Sequence, residues 1–113
     1  MKIPFLKPKL TDKKIQRVKE LLKVSPEQSE RYLTKLLKIE PDNDQLHFYL
    51  GNALMKQKKV MQAKAAYEKA VQINANNISA LANLASAYMY LGEDNHAEGL
   101  LTKALELNPS NIE

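Results

Sequence analysis

Residues 44–77 read DQLHFYLGNALMKQKKVMQAKAAYEKAVQINANN. Leu50, Gly51 and Leu54 lie on one helical pattern, and Ala63, Ala66, Tyr67, Ala70 and Val71 lie on a second, after the short basic turn at Lys58-Lys59. The second set falls at offsets i, i+3, i+4, i+7 and i+8, which describe one face of a helix. Moving the set by about 34 residues lands it on Ser29, Tyr32, Leu33, Leu36 and Leu37 in one direction and on Ala97, Leu100, Leu101, Ala104 and Leu105 in the other. Only Ser29 is neither apolar nor aromatic. The chain therefore repeats one amphipathic unit, and the segments starting at Asp44 and Ile78 share 8 residues without a gap, including Leu50/Leu84, Ala53/Ala87, Ala63/Ala97 and Ala70/Ala104.

Punctuation between the stripes predicts where helices begin and end. Thr11 is an N-cap candidate ahead of Ile15, Val18, Leu21 and Leu22, which recur at helical spacing to about Lys23. Ser25-Pro26-Glu27-Gln28 supplies a cap, a proline at the first helical position and a glutamine able to reach back to the cap backbone. This second helix is expected to run from Pro26 to Ile39, before Glu40-Pro41. Asp42 with Gln45 resembles a capping box, and Asn76 and Asn77 offer cap oxygens for the next helix. Gly92 suits the left-handed residue that ends a helix. Lys58 takes the equivalent place one repeat earlier, so that turn is expected to be looser. Met1–Leu10, MKIPFLKPKL, reads as an extended arm, because each proline disfavours helix at the residue before it.

The pattern of Leu50-Gly51, Leu54, Ala63, Tyr67 and Ala70 resembles the tetratricopeptide repeat. The resemblance implies an all-α fold, a right-handed α-solenoid of antiparallel helix pairs, with about three repeats and the first degenerate. The expected division is an arm over 1–10, a degenerate first repeat or cap over 11–43, a second repeat over 44–77 and a third over 78–113. Small residues such as Gly51, Ala85, Ala63 and Ala97 are expected to meet where paired helices approach. His47 and Leu81 stand where the family has its first aromatic, and Ala75 replaces the repeat-ending proline kept as Pro41 and Pro109. Lys19 takes a small-residue place, and the turn before Ser25 is about two residues shorter than the others.

Composition narrows the chemistry. No apolar run reaches the roughly 20 residues of a membrane span, and the chain is read as soluble and cytoplasmic. The absence of cysteine removes disulfides and thiolate chemistry. Three scattered glycines, Gly51, Gly92 and Gly99, make no phosphate loop or dinucleotide fingerprint. His47 and His96 lie on different repeats without an acidic partner at ligand spacing. Asp42-Asn43-Asp44 opens like a calcium loop, but His47 stands where its glycine is required and Ala53 where its final acid is required, so capping explains it. The expectation is a non-enzyme with no cofactor and no metal.

In tetratricopeptide arrays the first helices line a concave groove that holds a peptide. Carried onto this sequence, the groove residues are Gln45, Phe48, Asn52, Met55, Lys56, Ser79, Ala82, Asn83, Ser86, Met89 and Tyr90. Asn52 and Asn83 suit hydrogen bonding to a peptide backbone, and Lys56 suits an acidic group. They also match the two asparagines of the clamp with which co-chaperones of the family hold chaperone C-termini. Phe48, however, occupies that clamp's first basic place and Glu113 its second, so a clamp is not expected. The expected function is a protein-interaction scaffold, its partner a protein or peptide and not nucleic acid or membrane.

Charge supplies the alternatives. Met1–Asn43 carries +5, Asp44–Asn77 +3 and Ile78–Glu113 −4. Met1–Lys23 holds 8 basic and 2 acidic residues, which makes peripheral binding to nucleic acid or anionic membrane the alternative function. The stripe containing Leu101, Leu105 and Leu107 has no covering helix after it in this sequence, so the expectation is either a fragment of a longer array or a surface that pairs with another molecule, self-association included.

Overall fold

The computed structural model describes residues 11–108, which form α1 (Asp12–Val24), α2 (Pro26–Ile39), α3 (Asp44–Lys56), α4 (Val60–Ile73), α5 (Ile78–Tyr90) and α6 (Asp94–Leu107). The arm expected over 1–10, and the readings placed on Pro109 and Glu113, lie outside the described residues. The helices pair in order as α1/α2, α3/α4 and α5/α6, with α2 also packing on α3 and α4 on α5. The result is an all-α helical solenoid. Its radius of gyration is 15.1 Å, against about 13 Å for a compact domain of this size, because each pair touches only its neighbours. Among the described residues, no helix is long and apolar enough to cross a membrane.

Caps set the boundaries. Thr11 Oγ1 accepts from Lys14 N–H at 3.3 Å, Ser25 Oγ from Gln28 N–H at 3.3 Å and Asn77 Oδ1 from Ala80 N–H at 3.0 Å. Ser25 ends one helix and starts the next, since its own N–H closes α1 on Leu21 O at 2.7 Å. That bond uses the N–H that the expected reach-back from Gln28 would need. Asp42 is not the cap of α3. Asn43 is, with Oδ1 accepting from Gln45 and Leu46 N–H at 3.0 and 3.4 Å, because Pro41 and Asp42 are spent in the turn.

Lys58 has φ of +65° and Gly92 +80°. Both turns close alike. Lys58 N–H donates to Met55 O and Lys59 N–H to Leu54 O, both at 2.9 Å; Gly92 N–H donates to Met89 O at 3.0 Å and Glu93 N–H to Tyr88 O at 2.8 Å. The looser turn expected at Lys58 is therefore not found, and the left-handed lysine, which costs about 1 kcal/mol, is held in the same geometry as the glycine.

The core falls into two clusters along the stack. Val18, Leu33, Leu36, Leu46 and Ala53 unite α1, α2 and α3, and Leu54, Val60, Ala63, Ala66, Tyr67, Leu84 and Ala87 unite α3, α4 and α5. Each fully buried leucine among them contributes about 1.5–3 kcal/mol. Ser29, the polar exception in the stripe, is fully buried and donates to Val18 O at 3.3 Å, so its burial is satisfied. At Gly51 the nearest side chain is the Tyr67 ring. A Cβ on Gly51 would lie 2.6 Å from Tyr67 Cδ1 and 2.7 Å from Cζ, so the missing side chain is what admits the aromatic.

Candidate functional site: the concave face

The first helices of the three pairs, α1, α3 and α5, touch one another along one side of the stack. Two shallow depressions lie there. One, of about 390 Å³, is lined by Leu22, Asn52, Met55, Lys56, Tyr67, Asn83 and Ser86. The other, of about 300 Å³, is lined by Asp44, Gln45, Phe48, Tyr49, Asn74, Asn77 and Ser79. Phe48 links them, with its ring 5.3 Å from Tyr49 and 6.2 Å from Tyr67.

Buried tyrosine hydroxyls need a partner. Tyr67 donates to Asn52 Oδ1 at 2.5 Å, and Asn83 Nδ2 donates to the same oxygen at 2.8 Å. Burial pushes the Tyr67 phenol up to about 12, opposed by the Asn83 amide, which favours the ionised form. The hydroxyl is thus protonated at neutral pH and can act as donor. Two donors on one oxygen fix the orientation of the Asn52 amide, which leaves Asn52 Nδ2 as a donor and Asn83 Oδ1 as an acceptor. The two amides present one group of each kind on the same surface.

At the other depression, Asp44 Oδ2 accepts from Asn74 Nδ2 at 3.2 Å and from Asn77 Nδ2 at 2.8 Å. This ties the start of α3 to the loop after α4. Ser86 Oγ donates to Ala82 O at 3.2 Å, which leaves its lone pairs for a ligand.

Of the residues expected in the groove, Gln45, Phe48 and Ser79 line one depression and Asn52, Met55, Lys56, Asn83 and Ser86 the other. Ala82 is half-buried and lines neither. Met89 and Tyr90, 48% and 63% exposed, sit at the end of α5 outside both. Leu22, Asp44, Tyr49, Tyr67, Asn74 and Asn77 line the face without having been expected there. Tyr67 was readable only as core from its stripe, although a buried hydroxyl itself signals a polar neighbour. Leu22 carried no such signal, because the single-residue turn at Ser25 puts α1 out of step with the other first helices.

A further concavity, about 540 Å³, runs along residues 39–45 and is lined by Ile39 and the polar loop without any aromatic anchor. Among the described residues, no group of three or more His, Asp or Glu side chains is placed to hold a metal ion.

Paired antiparallel helices stacked in succession, with the first helix of each pair on one face, define a helical-repeat scaffold for protein interactions. Two family models described as Tetratricopeptide repeat match residues 45–77 and 78–111. The chain belongs to the tetratricopeptide-repeat family. Over 84 residues it is 34% identical to Protein O-mannosyl-transferase TMTC3 of Homo sapiens, an alignment that takes in 74% of this chain and 9% of that protein. It spans less than a tenth of the curated relatives it matches. Among solved structures, the second tetratricopeptide domain of Spaghetti (RPAP3) bound to HSP90 peptide SRMEEVD is similar at a TM-score of 0.80 and 21% identity, covering 85% of this chain and 90% of that one. MamA is similar at 0.79 and 20% identity, covering 85% and 57%.

Proposed function

We propose that the concave face binds an extended peptide segment of a protein partner. One observation carries the proposal: the Tyr67–Asn52–Asn83 chain of hydrogen bonds, which leaves a donor and an acceptor side by side above Leu22 and Met55. A peptide in extended form offers a free C=O and N–H to such a pair, whereas a helix has already used its own. An apolar side chain of the ligand would enter beside Leu22 and Met55, and an acidic group would meet the exposed Lys56. Phe48, Ala82, Met89 and Tyr90 extend the contact along α3 and α5. The solved RPAP3 domains hold an acidic HSP90 peptide. Phe48 argues against that class of ligand here, since it stands where a chaperone clamp has a basic residue.

The chain is read as a binding module without catalysis of its own, placed in the cytoplasm. The transferase name of TMTC3 is not carried to it, because the shared segment is a small part of that protein. Affinity capture from the chain's own cells, followed by identification of the bound protein, supplies the ligand. Capture is expected to fail with Asn52→Ala and to weaken with Phe48→Ala and Tyr90→Ala. Equal capture by all three variants would dismiss the groove. The alternative, peripheral binding through the basic segment Met1–Lys23, rests on charge, and within it Arg17 lies 5.8 Å from the centre of the Tyr32 ring. Retention on RNA or anionic vesicles at low salt, lost on Lys13→Glu with Lys14→Glu, would revive it.

A further inference from the structure

The groove between α3 and α5 carries its charge at its two ends. Asp44 lines one depression and Lys56 the other, and no other acidic or basic residue lines either. Between these two, α3 holds only His47, and α5 has no Asp, Glu, Lys, Arg or His at all. A first helix does not need either charge, since α5 forms with no acid in its first turn and no base in its last.

Nor are the two charges used up within the chain. Lys56 is exposed, and neither it nor Asp44 has an ion-pair partner among the described residues. Asp44 Oδ2 is held by the Asn74 and Asn77 amides at 3.2 and 2.8 Å, whereas Oδ1 accepts no hydrogen bond and stays open to solvent. Two donors on one oxygen hold the carboxylate in place and leave the other oxygen for a ligand.

Phe48 and Tyr49, both half-buried, line the same depression as Asp44. A fixed carboxylate beside aromatic rings suits a cation, which the oxygen attracts and a ring face also accepts. A guanidinium fits better than an ammonium, because its flat fork can stack on a ring while it donates to the oxygen. The N–H groups of Gln45 and Leu46 at the start of α3, which would oppose a cation, are already taken by Asn43 Oδ1.

The length of α3 sets the spacing. It runs 13 residues from Asp44 to Lys56, and at about 1.5 Å per residue its ends lie about 18 Å apart. An extended ligand advances about 3.3 Å per residue and covers that distance in about five or six positions. Phe48, one turn in from Asp44, then meets an uncharged side chain of the ligand.

We infer that the ligand of this groove is a segment with charges of opposite sign at its ends: an arginine or lysine against Asp44, Phe48 and Tyr49, and an aspartate or glutamate at Lys56, about five or six positions away. The inference rests on the peptide-groove reading and adds which segments the groove selects. A wholly acidic segment sets like charge against Asp44 and a wholly basic one against Lys56, so both are disfavoured.

Selection from a displayed library of random peptides about a dozen residues long, on the full chain, tests it. The peptides retained are expected to carry a base and an acid about five or six positions apart, and to be lost on Asn52→Ala. Changing either charged residue of such a peptide to glutamine is expected to weaken binding about tenfold. Lys56→Glu, an exposed change that leaves the fold intact, is expected to select a base at both ends. Peptides that depend on Asn52 but carry no base, or that carry a base and an acid at no fixed spacing, would overturn the inference and leave the groove standing. An unchanged preference in Lys56→Glu would overturn it as well. Retention of no peptide, or only of peptides indifferent to Asn52→Ala, would sink the groove and the inference together.

Discussion

Replacing Gly51 by alanine adds one methyl group where the structure has no room for it. The new Cβ would lie 2.6–2.7 Å from Tyr67 Cδ1 and Cζ, and carbon atoms rest at about 3.5–4.0 Å. The ring must move by about 1 Å, yet it is 2% exposed and tethered through its hydroxyl to Asn52. Overpacking of this kind costs about 1–3 kcal/mol, and loss of the Tyr67–Asn52 hydrogen bond costs about 1 kcal/mol more. Alanine returns about 1 kcal/mol through its better helix propensity. The net expectation is a loss of about 2 kcal/mol, read as a lower urea midpoint with an unchanged slope. Gly99→Ala is the control, because a Cβ there meets nothing within 4 Å; it is expected to stabilise by about 0.5–1 kcal/mol. The third repeat carries its own solution, Ala85 with Leu101 in place of Gly51 with Tyr67. Tyr67→Leu should therefore harm the Gly51→Ala background less than it harms the wild type, a coupling of about 1 kcal/mol in a double-mutant cycle. Gly51→Ala as stable as Gly99→Ala would refute the packing argument.

Lys58→Gly is expected to raise stability by about 1 kcal/mol, since φ there is +65°, and Gly92→Ala to lower it by a similar amount; thermal melts check both. Alkaline titration should show a second effect at Tyr67, whose folded-state value of about 12 lies above the ordinary 10.0. The protonated phenol is favoured in the folded state, so its contribution is complete below pH 10 and is lost as pH rises toward about 12. Denaturation midpoints followed over that range should fall in the wild type, with this component absent in Tyr67→Phe. Asn43→Ala removes a cap that serves two N–H groups of α3 and is expected to cost about 1 kcal/mol, whereas Asp42→Ala should change little; a chemical melt of each variant decides.

Much of this fold is legible in the residues because its repeat is a packing requirement. A helix pair that stacks on both neighbours must place small and apolar side chains at fixed offsets, and Ala63, Ala70, Ala97 and Ala104 announce them. Ser25-Pro26 and Glu40-Pro41 fix the limits of α2 for equally local reasons. What escaped depends on choices between near equals. Asp42 and Asn43 are both good caps, and only the path of the Pro41–Asp42 turn selects the second. The concave face was readable as two helix faces, but its polar chemistry was not. Tyr67 belongs by spacing to the core, and its partnership with Asn52 and Asn83 spans three helices. That link appears only when Gly51 is seen to let the ring through.

The central claim is that the concave face receives an extended segment of a partner. Amide hydrogen exchange of the chain, alone and with the protein captured from its own cells, tests it most directly. The account predicts slowed exchange along α3 and α5 on the groove side, around Asn52 and Asn83, and loss of that protection in Asn52→Ala. Protection confined to α4 and α6, with the groove helices unchanged, would contradict it.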